Sequence, residues 1–110
     1  MQFVEAYNKH DAAATAALYT QDAVRVKDWS GGDLLVGREA IEKGFEKEFA
    51  ASFPPLVRKL VQMYAFDDRI TTISEWSVGP DHGHSVRIYV RDADTWKIRM
   101  EFIAASTMPQ

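Results

Sequence analysis

The chain has 110 residues, one domain's length, and 46% of them are hydrophobic, enough to bury a core without staples. It has no cysteine, which removes disulfides, thiolate metal sites and thiol nucleophiles and makes a cytoplasmic setting the expectation. A net charge of −3 offers no general attraction for phosphate backbones, and no apolar run approaches the ~20 residues that span a bilayer, so neither nucleic acid nor membrane is an expected partner.

No Gly/Ser-rich or Pro-rich linker divides residues 1–110, and helix-like patterns precede strand-like ones, which predicts a single α+β domain. Phe3, Val4 and Tyr7 fall at helical spacing, and Asp11 is a good N-cap for the alanine-rich stretch to Tyr19, so two short helices open the chain. Ala23 to Asp28 reads as a strand with Val24 and Val26 on one face and Arg25 and Lys27 on the other. After Ser30-Gly31-Gly32-Asp33 and a short Leu34-Leu35-Val36, a third helix is predicted from Arg38 to Ser52. There Ile41, Phe45 and Phe49 recur every four residues, and Pro54-Pro55 stops the run.

From Leu56 onward Val, Ile, Thr and aromatics dominate between turn clusters at Asp67-Asp68, residues 79–83 and Asp92-Ala93-Asp94. This predicts four long strands in an antiparallel meander that wraps around the third helix. In the last hairpin a three-residue turn puts Val86, Ile88 and Val90 on one face with Ile98, Met100 and Phe102. Arg87, Arg91, Lys97, Arg99 and Glu101 then share the other face. The apolar set is the expected inner face; the polar set, with Tyr89 among it, is the expected solvated or dimer-facing side.

Candidate chemistry follows from that assignment. Asp28 alternates with Val24 and Val26, so an inward apolar face would carry its carboxylate into a desolvated pocket, where it becomes a better proton acceptor near neutrality. The competing reading places Asp28 in an exposed loop with Trp29. Tyr7, Trp29, Phe45, Phe49, Met63, Trp76, Ile88 and Met100 are the expected pocket walls, although core packing is the commoner fate of such side chains. A one-residue slip would instead carry Arg87 inward as an anchor for a carboxylate or enolate, with Tyr89 as a proton donor and Glu75 and Glu101 as ion-pair partners. His82-Gly83-His84 has metal-like spacing, but the remaining imidazole, His10, is remote in sequence, so no metal is expected. No glycine-rich loop precedes a helix, and no cofactor is expected.

The phrases Ala17-Leu18-Tyr19-Thr20-Gln21-Asp22-Ala23-Val24 and Val36-Gly37-Arg38-Glu39-Ala40-Ile41, followed by Trp96-Lys97-Ile98-Arg99, occur in this order between predicted helices and strands. In this the chain resembles the nuclear transport factor 2-like superfamily, in its SnoaL-like and ketosteroid-isomerase-like branch, over almost its whole length. The resemblance implies one cone-shaped domain over 1–110, a curved antiparallel sheet wrapped around three helices. It also implies an apolar pocket for a small organic ligand, and a homodimer through the outer sheet face. By ungapped comparison, the general base of the family's steroid isomerases falls on Lys27, one residue short of Asp28. Their oxyanion-donating tyrosine falls on Phe3, and their protonated aspartate falls near Val86 or Arg87. A phenyl ring cannot donate to an enolate oxygen, so steroid-isomerase activity is not expected.

Two function classes stand at this point. One is a cofactor-free isomerase, cyclase or hydro-lyase that uses one pocket carboxylate. The other is a non-catalytic dimeric module that binds a ligand or a protein. The direction in which Asp28 points separates them.

Overall fold

The computed structural model describes residues 2–28 and 32–106. Helices α1 (Gln2–Asn8) and α2 (Ala12–Ala16) lead into β1 (Tyr19–Lys27) and the short β2 (Asp33–Val36). Helix α3 (Arg38–Phe49) then precedes β3 (Leu56–Phe66), β4 (Arg69–Val78), β5 (Asp81–Asp92) and β6 (Thr95–Ala105). The six strands form one sheet in the order β2-β1-β6-β5-β4-β3. Strands β3 to β6 are the antiparallel meander that the turn clusters predict, while β1 lies parallel to β6 and antiparallel to β2. The sheet is curved and open, and the helices pack on its concave face, the α+β cone expected from the pattern.

Local chemistry sets the element ends. Asp11 caps α2, its side chain accepting from the Ala14 N–H at 3.0 Å. That helix stops at Ala16 and not at Tyr19, because the Leu18 carbonyl accepts from Ile98 N at 2.9 Å and Tyr19 pairs with Ile98, so the sheet takes over the last residues of the helical pattern. Gly37 precedes α3 at φ 95°, a backbone region that favours glycine, and its N–H donates to Ala23 O at 2.7 Å. The side-chain amide of Asn8 stands in for a missing strand neighbour: its Nδ2 donates to Leu56 O at 3.1 Å and its Oδ1 accepts from Leu56 N at 2.8 Å. The end of α1 is thereby tied to the first residue of the edge strand.

The core is aromatic. Ile41 and Phe45 of α3 are fully buried, and Phe45 meets Phe3, Tyr7 and Tyr19 at ring-centroid distances of 6.3, 6.1 and 6.0 Å. Phe3 and Tyr7 meet it edge-on, a geometry that contributes beyond area burial alone.

The sheet faces are the reverse of those expected. Val86 and Ile88 share a face with Met100 and Phe102 as the binary pattern predicts, but that face is the convex one, with Val24 and Val26, where Val86, Met100 and Phe102 are exposed. The polar set turns inward: Arg25, Arg87 and Glu101 are buried beneath the helices. Val90 and Ile98 also part company. The turn has two residues and not the three expected, joining Asp92 to Thr95, and a bulge at Arg99 shifts the register, so that Tyr89 faces Ile98 and Val90 faces Lys97. Alternation tells which residues share a face; it does not tell which face the helices will cover.

Replacing Phe45 by Ala should cost about 3–5 kcal/mol, because the cavity opens among the rings of Phe3, Tyr7, Tyr19 and Phe49, which cannot all move inward. Urea denaturation measures it, and a loss below about 1 kcal/mol would mean that this face of α3 is not the core.

Candidate ligand-binding cavity

Strands β1, β6 and β5 are neighbours, and their register sets Arg25 opposite Glu101 and Arg87 opposite Glu101 on the inner face. Three charged residues thus form one row across three strands. Glu101 Oε1 accepts from Arg25 Nε at 3.1 Å, and Oε2 accepts from Arg87 Nε at 2.6 Å. The Tyr19 hydroxyl also donates to Oε1. Burial alone would raise the Glu101 pKa, but Arg87 and then Arg25, helped by the hydrogen bonds from Tyr19 and Arg87, bring it down to about 2. The same carboxylate, with the tyrosines nearby, holds both guanidinium groups above their ordinary range against the opposing effect of burial.

The helices close over this row with aromatic faces. The Arg87 guanidinium lies 3.9 Å from the Phe3 ring centroid and that of Arg25 lies 4.6 Å from Phe45. Arg87 Nη1 also donates to the Tyr89 hydroxyl at 3.1 Å. From α3, Glu48 accepts a hydrogen bond from the Tyr7 hydroxyl, and its Oε1 lies 3.8 Å from Lys27 Nζ and 4.0 Å from Arg25 Nη1.

Between helices and sheet a cavity of about 230 Å³ remains. Arg25, Lys27, Glu48, Ser85, Arg87 and Glu101 line its charged side, and Phe53, Leu56, Trp76, Val78 and Ile103 its apolar side. Phe3 and Tyr7 form part of the helical wall, and the exposed Asp81 stands at the lining's edge. Trp76 is fixed by its indole N–H, which donates to His84 O at 3.3 Å.

Of the residues expected at a site, Tyr7, Trp76 and Arg87 line this cavity. Tyr89 is half-buried and touches it only through Arg87. Phe45 and Phe49 belong to the aromatic core beside it. Asp28 does not enter the cavity. It is exposed at the end of β1, its N–H donating to Ile103 O at 2.9 Å, because the strand face that carries Val24 and Val26 is the convex one. Ile88 and Met100 lie on the convex face for the same reason, and Met63 is exposed on the edge strand. Trp29 lies outside the described residues. Glu75 pairs with His84 and is exposed, so of the two carboxylates expected beside Arg87 only Glu101 reaches it. Among the described residues no group of three His, Asp or Glu is placed to hold a metal ion.

Arg25, Lys27, Glu48, Phe53 and Ser85 are cavity residues that sequence reasoning did not select. The alternation of Arg25 and Lys27 with valines carried a signal for the first two. Nothing local marked Glu48, which looks like any other charge on the polar face of α3.

Glu101→Gln should cost about 3–5 kcal/mol, since two buried guanidinium groups lose their counter-charge. The depressed pKa also fixes a sign: the stability it contributes is complete above the unfolded carboxyl range, ~4.3 for Glu, and is lost as pH falls towards about 2. Denaturation midpoints between pH 5 and 2 should therefore fall steeply in the wild type and less so in the variant. Equal slopes would remove Glu101 as the source.

With this geometry in view, known proteins can be set beside the chain. No curated protein matches it. Solved structures match its fold closely and its sequence weakly. A ketosteroid isomerase-like protein from Erwinia carotovora atroseptica superposes with a TM-score of 0.84 at 15% identity, covering 97% of this chain and 90% of that one. A putative calcium/calmodulin-dependent protein kinase type II association domain from Thiobacillus denitrificans gives 0.79 at 17%, covering 96% and 90%. An NTF2-like protein of unknown function from Pseudomonas putida gives 0.80 at 19%, covering 97% and 81%. At these identities the likeness is one of fold. The family is settled separately, by a family model that matches residues 1–105: this chain belongs to the SnoaL-like domain family.

Proposed function

We propose that the chain is a small-molecule-binding domain whose cavity takes an organic ligand with an apolar body, and that it does not use Asp28 to transform it. The observation that carries this reading is the cavity itself, about 230 Å³ between one apolar and one charged wall, the composition of a ligand pocket more than of a packing defect. A general base must lie within hydrogen-bond reach of the proton it takes, and Asp28 is exposed outside the cavity lining. Of the two classes left open by the sequence, the binding module therefore has the geometry on its side.

Titration with an environment-sensitive hydrophobic dye tests the reading. The wild type should bind the dye and release it to small competitors. Val78→Trp, which fills the apolar wall from a half-buried position, should weaken dye binding about tenfold or more without loss of fold. Dye binding that is unchanged in Val78→Trp would place the dye elsewhere and remove the support.

A separate observation favours self-association. On the convex face Leu34 and Val36 of β2, Met100 and Phe102 of β6 and Val86 of β5 are all exposed large hydrophobics on one side of one sheet, and such continuity marks an interaction surface. A second copy with the same face is the occupant proposed, and the homodimer rests on these residues, not on Arg87 and Tyr89. Sedimentation at micromolar concentration should show a dimer, and Phe102→Glu should shift it to monomer. A wild-type monomer would reject it.

A further inference from the structure

Val57, Leu60, Val61, Met63, Tyr64 and Phe66, each between 52% and 76% exposed, all lie in β3. This strand is the last in the sheet and pairs with β4 on one side only. A strand so placed offers its outer N–H and C=O groups to another chain.

The Asn8 clamp shows which groups these are. Leu56 gives both its N–H and its C=O to Asn8, so it turns them away from β4. Leu56 stands opposite Val78, and the following alternate residues of β4, Trp76, Ser74, Thr72 and Ile70, stand opposite Arg58, Leu60, Met63 and Ala65. Those four therefore also point their peptide groups outward, with the bulge at Val61 falling between Leu60 and Met63. Among the described residues no neighbour bonds these groups. Apolar side chains flank the edge on both sides of the sheet: Leu60 and Met63, opposite the buried Ser74 and Thr72, on the inner side, Tyr64 and Phe66 on the outer. An extended strand laid along the edge meets both sides and bonds the peptide groups as well.

The charges select the strand. Lys59 precedes the mainly apolar run of residues 60–66, and Asp67 and Asp68 follow it, all three exposed. Set antiparallel to itself about a two-fold axis near Met63, the segment lays its apolar run on its own counterpart. It also brings Lys59 of each copy to Asp67 and Asp68 of the other. A parallel arrangement would set lysine beside lysine.

We infer that β3 pairs, antiparallel and edge to edge, with β3 of a second copy of this chain, so that two sheets become one. This contact is separate from the convex face and independent of what the cavity holds. An edge is a smaller contact than a face, so this association is the weaker one, with a dissociation constant of about 0.1 mM.

Backbone amide exchange, followed by NMR from about 10 μM to about 1 mM protein, tests it. Exchange at Met63 and Ala65 should slow severalfold as concentration rises. Lys59→Glu and Asp68→Lys should each weaken the association severalfold, and the two together should restore it, which mere damage to the hairpin would not do. In Phe102→Glu, which lacks the convex contact, the protection should persist; its loss there would assign it to the convex face and overturn the edge pairing. Exchange at both amides that does not depend on concentration would also overturn it, leaving the edge to a strand of another protein. Protection that neither charge variant alters would overturn the antiparallel arrangement.

Discussion

A single carboxylate, Glu101, sits where three strands meet, and the interior depends on its two ion pairs. Its partners Arg25 and Arg87 are its direct cross-strand neighbours, so the pairs form only when β1, β6 and β5 are in this register. The guanidinium groups in turn supply the surface on which Phe3 and Phe45 rest, which docks α1 and α3 on a charged floor and not on an apolar one. Exchanging such a triad for well-packed apolar residues is often neutral or stabilising in other proteins, so net stability is a weak reason for its presence. Its distinctive result is an inner face with fixed charges beside a cavity, something an apolar floor of the same volume would not provide.

The consequence is a sheet turned inside out relative to ordinary expectation. Its concave side carries the ions under the helices, and its convex side carries the exposed valines, Met100 and Phe102. The inner charges are affordable because every one is paired or stacked, and the bulge at Arg99 lets both Glu101 and Ile98 face inward on the same strand. The outer apolar face has no such answer among the described residues, where Val86, Met100 and Phe102 remain exposed.

Much of the fold was legible in the sequence. The i, i+4 spacing of Ile41, Phe45 and Phe49 located α3, and the turn clusters at Asp67-Asp68 and Asp92-Asp94 delimited the meander. That Val86 and Ile88 share a face with Met100 and Phe102 followed from alternation, but their pairing register did not, because the turn has two residues and not three and the register shifts at Arg99. What alternation lacks is a label for inside and outside, and the rule that apolar faces turn inward assigned it wrongly here. Asp28, Ile88 and Met100 left the site through that one inversion, and Arg25 with Lys27 entered it. Glu48 was illegible for a different reason: it reaches the cavity from a helix whose polar face otherwise meets water, and only the curvature of the sheet brings Lys27 and Arg25 within 4.0 Å of it.

The Asn8 clamp has a dynamic meaning. Its two hydrogen bonds to Leu56 join the last residue of α1 to the first of β3, and these two elements also contribute Phe3, Tyr7 and Leu56 to the cavity wall. Helix α1 has only seven residues and no independent claim to stability, so it stays in place through its packing and this clamp. Because the clamp ties it to the strand, its opening also releases the Leu56 amide and unseats two walls at once. Amide exchange at Leu56 therefore reports on the breathing of the cavity, and a molecule held inside would leave by the same cooperative fluctuation that exposes this one N–H.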